Sequence, residues 1–313
     1  MLQRLPAEPM RVKRRSWAGR SSASVEFLVY CAVMKTRPTK IAIFSGDEAL
    51  WSLPAWTALF PRLIKKYEVA GIFLFPGQLG NKKGLQVHFW YWRVFGFLNF
   101  IVFVLFAIRC RVLTLLNPAA SADWKALAKK YSVPLQKAAT PNEESVIAWV
   151  QKNEIDVIFI MVNHILKKDI LNAPRVGIIN KHAALLPSAR GVYPFFWCKL
   201  KGLPTGVTYH QVDAGIDTGP ILLQTSYPAD QKRPLSMLRF YAEIYHLFPE
   251  MALLAFERLL QRDYRPADPA LKGCYFSTPT REDSLNFQKA GHKIARFSDL
   301  FYRPTMALDL TRL

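Results

Sequence analysis

Five short runs narrow the folds open to this chain: KIAIFSG (40–46), VAGIFLF (69–75), VPLQ (133–136), DVIFIMV (156–162) and RVGIIN (175–180). Most are Val/Ile/Phe-rich without polar alternation, which is how strands buried on both faces read. Between them, 47–66, 120–130 and 142–152 have helical spacing. Strand and helix in alternation build an α/β fold on a mainly parallel sheet. Further on, GVTYHQVD (206–213) and GPILLQTSYP (219–228) read as two antiparallel segments joined through AGIDTG. Residues 234–262 are helical with a break at Pro249, and the Met and aromatic residues of 237–256 recur at core spacing. Residues 263–313 form a tail with a Pro-rich start and no strong period.

Open α/β sheets bind ligands beyond the carboxyl ends of their strands. That places Asn180 and His182, two apart and on one side of an extended chain, where chemistry is done. Asp217 lies in DAGIDTGP, a Gly-bracketed turn. A histidine that reaches both an amide and a carboxylate is oriented, and the anion raises its pKa. No nucleophile elbow of the GxSxG kind is present, so direct transfer between two bound substrates is expected rather than a covalent intermediate. In such a transfer Asn180 donates to a developing oxyanion and His182 moves protons. Of the other histidines, His164 follows a strand end and is expected to line the pocket. His210 alternates with Tyr209 and Gln211 and reads as structural. His88, His246 and His292 have no supporting neighbours.

The run GIINKHAALLPSARGVYPFFW, followed by LPTGVTYHQVDAGIDTGPILLQ, resembles the folate-dependent formyltransferase family. The resemblance rests on Asn180-x-His182, Leu185-Leu186-Pro187, Arg190-Gly191, Thr205-Gly206-Val207-Thr208, Asp217 and Gly219-Pro220. It extends more weakly from Lys40 to about Gln261. It implies a Rossmann-like formyltransferase fold with a short helical C-terminal extension, and 10-formyltetrahydrofolate as formyl donor. Asn180, His182 and Asp217 are then the catalytic trio, with His182 held charged by Asp217. Val162, His164, Ile165, Leu185, Leu186, Pro187 and Asp213 are implied to shape the folate pocket, and Ser45, Gly46 and Arg190 to meet the acceptor. The family often has Ser where Ala184 stands. FPGQLGNKKG, with Lys82 and Lys83 able to meet phosphates, replaces the basic loop of the tRNA-acting members. YFSTPTREDS (275–284) resembles the linker that precedes their C-terminal barrel, and no barrel is expected in 263–313. These departures favour a small anionic amine, such as a nucleotide-linked amino sugar, over initiator tRNA; hydrolysis of the folate is a third option.

The net charge of +19 favours anionic partners. Residues 1–38 are expected to be a disordered or spurious basic extension, leaving 39–262 as the catalytic domain. The four cysteines, Cys31, Cys110, Cys198 and Cys274, have no paired spacing. That argues against a disulfide scaffold or a metal site and fits a reducing, cytoplasmic compartment. One segment stands apart, FWYWRVFGFLNFIVFVLFAIRCRVLTLL (89–116). Its uncharged stretch, Val94–Ile108, is fifteen residues long, short of the roughly twenty needed to span a bilayer. A buried core helix is the simplest reading. A subunit contact is another, and a peripheral membrane helix a third, because Trp90, Tyr91 and Trp92 lie beside Arg93, Arg109 and Arg111.

Overall fold

The computed structural model describes residues 37–47, 51–117, 120–227 and 235–302. Residues 1–36 of the expected extension and 303–313 of the tail lie outside the described residues. The central sheet uses β1 (Lys40–Gly46), β2 (Glu68–Phe75), β3 (Leu135–Lys137), β4 (Val157–Met161), β5 (Gly177–His182), β6 (Gly206–Gln211) and β7 (Ile221–Ser226). Their spatial order is β7-β6-β5-β4-β1-β2-β3. The pairs β3·β2, β2·β1, β1·β4 and β4·β5 are parallel. The pairs β5·β6 and β6·β7 are antiparallel. The α/β reading with a mainly parallel sheet holds, and each strand falls within three residues of its sequence-defined ends.

Alternation along the strands sorts side chains to two faces. Ile41, Ile43, Val157, Phe159 and Ile179 enter the larger core, beneath α1 (Ser52–Lys66) and, from the chain's later half, Met237–His246 and Phe248–Gln261. Ala42, Phe44, Ile158, Ile160 and Ile178 enter a smaller core covered by Val146 and Val150 of the helix Glu144–Lys152. Asn180 and His182 continue this second row. Strand order reverses at β1, which pairs with both β2 and β4; the carboxyl ends of β1 and β4 at this switch point, next to Asn180, are where open α/β sheets bind ligands.

Two regions differ from the sequence reading. Segment 89–116 is not a buried core helix. Gly96, at φ +88, divides it into α2 (Leu85–Phe95) and α3 (Phe97–Leu116). α3 is long and apolar enough to cross a membrane by length and composition, yet Phe106 is its one buried residue. The tail, in turn, is tied into the unit that carries the central sheet. Tyr275–Phe276 pairs in parallel with Arg190–Gly191, and the helix Arg281–Lys289 opens on a capping box between Thr280 and Asp283. Two-residue strands have no period to read, so sequence spacing could not find that pairing.

Candidate functional site

Asn180 and His182 lie at the end of β5, opposite His210 and Thr208 of β6. Asp217 reaches His182 and His210 from the loop between β6 and β7. That loop is held by Asp213, whose Oδ1 accepts from Thr218 Oγ1 at 2.7 Å and from the Gly215 amide at 3.0 Å. Gly219 closes it against β6: a Cβ there would lie 1.9 Å from the Gln211 carbonyl oxygen. Asp217 itself sits at φ +51, a left-handed conformation that Asp tolerates better than most residues.

The carboxylate of Asp217 is a hub. Its Oδ2 lies 3.4 Å from His182 Nδ1 and accepts from the Gly191 amide at 2.9 Å, while its Oδ1 lies 3.5 Å from His210 Nε2. The far ring nitrogens face carbonyls: His182 Nε2 is 2.7 Å from Ala189 O and His210 Nδ1 is 3.0 Å from Gln211 O. Each ring nitrogen that faces a carbonyl therefore carries a hydrogen, and each imidazole presents its other nitrogen to one carboxylate. A proton delivered to His182 is favoured by that charge. His210, read from sequence as structural, thus belongs to the site. The signal that could have found it is register, since it stands directly across from Asn180.

Burial dominates the electrostatics. It pushes the His182 imidazole below 6.5, and the opposing pull of Asp217 does not overcome it. The expectation of a His182 held charged in the resting site is therefore corrected: the ring is neutral there. Burial also acts to raise Asp217, but His210, His182 and the Gly191 amide outweigh it and bring the carboxyl to about 2. Both depressed values stabilise the fold at neutral pH. The neutral His182 contributes fully above 6.5 and loses its contribution as pH falls through its folded value. Asp217 contributes above 3.8 and loses it as pH falls through about 2. The urea midpoint should therefore fall steadily on acidification below 6.5, with the first part of the fall flattened in His182→Asn. A midpoint that rose on acidification through that range would contradict the assignment.

The remaining sequence-selected residues divide. The Leu185-Leu186-Pro187 turn is locked to the sheet: Thr208 Oγ1 donates to Ala184 O at 2.6 Å and accepts from Leu186 N at 3.1 Å, and Gln224 Nε2 donates to Leu186 O at 2.9 Å. Ala184 is fully buried. Val162 and His164 line the half-buried end of β4, and His164 Nδ1 has no partner among the described residues. Ile165 is exposed, with its carbonyl accepting from Asn142 Nδ2 at 2.9 Å. Ser45, next to Gly46 at the end of β1, is fully buried with no partner for Oγ among the described residues; the same holds for Nε of the half-buried Arg190. Among the described residues, no group of three or more His, Cys, Asp or Glu is arranged to hold a metal ion.

The loop carrying Arg190 and Gly191 is fastened by the tail. Arg190 N donates to Cys274 O at 2.9 Å, Val192 N to Phe276 O at 3.0 Å, and Trp197 Nε1 to Ser277 O at 2.9 Å. Gly191, at φ +98, has room for no side chain, because a Cβ would lie 2.1 Å from Phe276 O.

Residues 116–241 match the family described as formyl transferase. A methionyl-tRNA formyltransferase of Geotalea uraniireducens (strain Rf4) is 36% identical over 108 residues, 34% of each chain. One from Citrifermentans bemidjiense is 33% identical over 165 residues, 51% of each. The chain thus spans between a third and a half of the length of these curated relatives. Among solved structures, a sugar N-formyltransferase from Shewanella sp. shares 14% identity at a TM-score of 0.49, covering 80% of this chain and 87% of that one. A phosphoribosylglycinamide formyltransferase from Streptococcus pneumoniae shares 17% at 0.45, covering 71% and 99%.

Proposed function

We propose that this chain, whose residues 116–241 match the formyl transferase family, transfers a formyl group from 10-formyltetrahydrofolate to the primary amine of a small anionic acceptor, such as a nucleotide-linked amino sugar. The observation that carries this reading is the convergence of His182 and His210 on Asp217, with Asn180 directly across from His210 on the neighbouring strand. The acceptor nitrogen attacks the formyl carbon, and the Asn180 amide donates to the oxyanion that forms. The C–N bond to the acceptor forms as the bond to the folate nitrogen breaks. The amine proton enters the Asp217–imidazole cluster and leaves on the folate nitrogen, so the site ends as it began. A carboxyl at about 2 is too acidic to keep that proton, so the proton rests on His182, where the carboxylate 3.4 Å away compensates the new charge.

The unpartnered Arg190 Nε, next to the Gly191 amide that donates to Asp217, supports a polar, anionic acceptor. Lys82 and Lys83 add cations on a hairpin that Gln78 pins to Asn163 by two hydrogen bonds, at 3.1 and 3.2 Å. Methionyl-tRNA as acceptor is a second reading, favoured by the curated relatives. Purified protein supplied with 10-formyltetrahydrofolate is to be assayed for tetrahydrofolate release with nucleotide-linked amino sugars, with methionyl-tRNA and with water alone. Amino-sugar-dependent release is expected. Release with tRNA alone moves the protein to the second reading, release without an amine makes it a hydrolase, and no release in any arm overturns formyl transfer.

A further inference from the structure

We infer that the α2–α3 hairpin docks this protein onto a bilayer surface containing anionic lipids. α3 is apolar on two sides, and the domain covers one of them. Val102, Phe103, Phe106 and Cys110 pack toward Leu238, Ala242 and Leu300. The other side carries Leu98, Ile101, Leu105, Ile108, Val112 and Leu116, spaced by three or four residues and all exposed. This is a continuous stripe along a helix about 30 Å long. α2 adds the exposed Phe89 and Trp92, with the Arg93 guanidinium 5.6 Å from the Phe89 ring. An aromatic and aliphatic face bordered by arginines is the composition of helices that lie in the headgroup region.

Charge identifies the occupant. Between Glu68 and Asp123 there is no acidic residue, while Lys82, Lys83, Arg93, Arg109 and Arg111 fall within that interval. A second copy set face to face would bring these cations against one another, whereas an anionic bilayer answers them. Attachment fixes the orientation. Ala295 N donates to Asn99 Oδ1 at 3.2 Å and Arg281 Nη1 to Val94 O at 3.1 Å, so both helices are fastened lengthwise to the domain. Threading α3 through a bilayer would break these bonds and bury Arg109 and Arg111, so the helix lies in the surface plane.

The test is flotation of the full-length protein with phosphatidylcholine vesicles, with and without about one third phosphatidylglycerol. The protein should rise with the anionic vesicles and bind the neutral ones about tenfold more weakly, with the anionic binding reduced by salt. Leu98→Glu/Ile108→Glu, at positions 80% and 55% exposed, should lower recovery about tenfold or more with the urea midpoint unchanged. Arg93→Glu/Arg111→Glu should do the same without touching the apolar stripe. Absence of flotation with anionic vesicles overturns the inference. So does binding that survives both double variants, since residues 1–40, at +7, would then carry it. A dimer in light scattering that the Leu98/Ile108 variant dissociates, without flotation, assigns the face to a second copy instead. None of these readouts needs formyl transfer, so the inference stands or falls apart from it.

Discussion

His182→Ala should lower kcat/KM for formyl transfer by about three orders of magnitude while the protein stays folded. The loss reflects two functions removed together: a resting place for the amine proton, and a cation beside the oxyanion once that proton has arrived. About 4 kcal/mol of transition-state stabilisation corresponds to such a factor. Deleting the ring leaves Asp217 with His210 at 3.5 Å and the Gly191 amide at 2.9 Å, but it orphans the Ala189 carbonyl and opens a cavity, so unfolding free energy should fall by about 2–3 kcal/mol. His210→Gln should cost only about tenfold, because His182 remains to hold the proton. The assay is steady-state release of tetrahydrofolate. A His182→Ala protein within tenfold of the unaltered one would remove His182 from the chemistry, and equally large losses in the two variants would mean that both imidazoles are needed.

The second large effect is expected where no chemistry occurs. Gly191→Ala adds one methyl group at φ +98, 2.1 Å from the Phe276 carbonyl oxygen, where only backbone can give way. The conformational cost and the displaced strand pair together should lower stability by roughly 2–4 kcal/mol. Activity should fall further than stability explains, because the Gly191 amide that donates to Asp217 shifts with the loop. Urea midpoints and kcat/KM measured on one preparation separate the two effects. Full activity in a destabilised Gly191→Ala would show that the amide does not position the carboxylate.

Much of this was legible in the sequence. The central strands are legible because burial on both faces leaves little but Val, Ile, Leu and Phe in them. Asn180 and His182 were legible as a polar pair ending such a run, and Asp217 through the glycines of its turn. His210 was not, because its significance lies in standing across from Asn180 in an antiparallel register. The protonation of His182 was misread for a related reason: a neighbouring anion shows in the motif, but the burial that outweighs it is a property of the packed site. Segment 89–116 announced its apolarity and even the Gly96 at its break, but composition does not say which faces the domain covers. The tail was opaque because its decisive pairing, Tyr275–Phe276 with Arg190–Gly191, is two residues long and spans more than eighty positions.

That pairing also orders events during synthesis. A nascent chain can complete all seven strands of the central sheet once Ser226 has left the ribosome, and domains commonly begin to fold as they emerge. At that stage Asn180, His182, His210 and Asp217 are all present, but the loop holding Gly191 has nothing to pair with. It closes only when Cys274–Ser277 follows, some fifty residues later. Released fragments ending between Gln261 and Cys274 would carry the sheet with its covering helices and an unfastened Gly191 loop. Cys274–Ser277 must therefore emerge before the Gly191 amide can be fastened beside the Asp217 carboxylate.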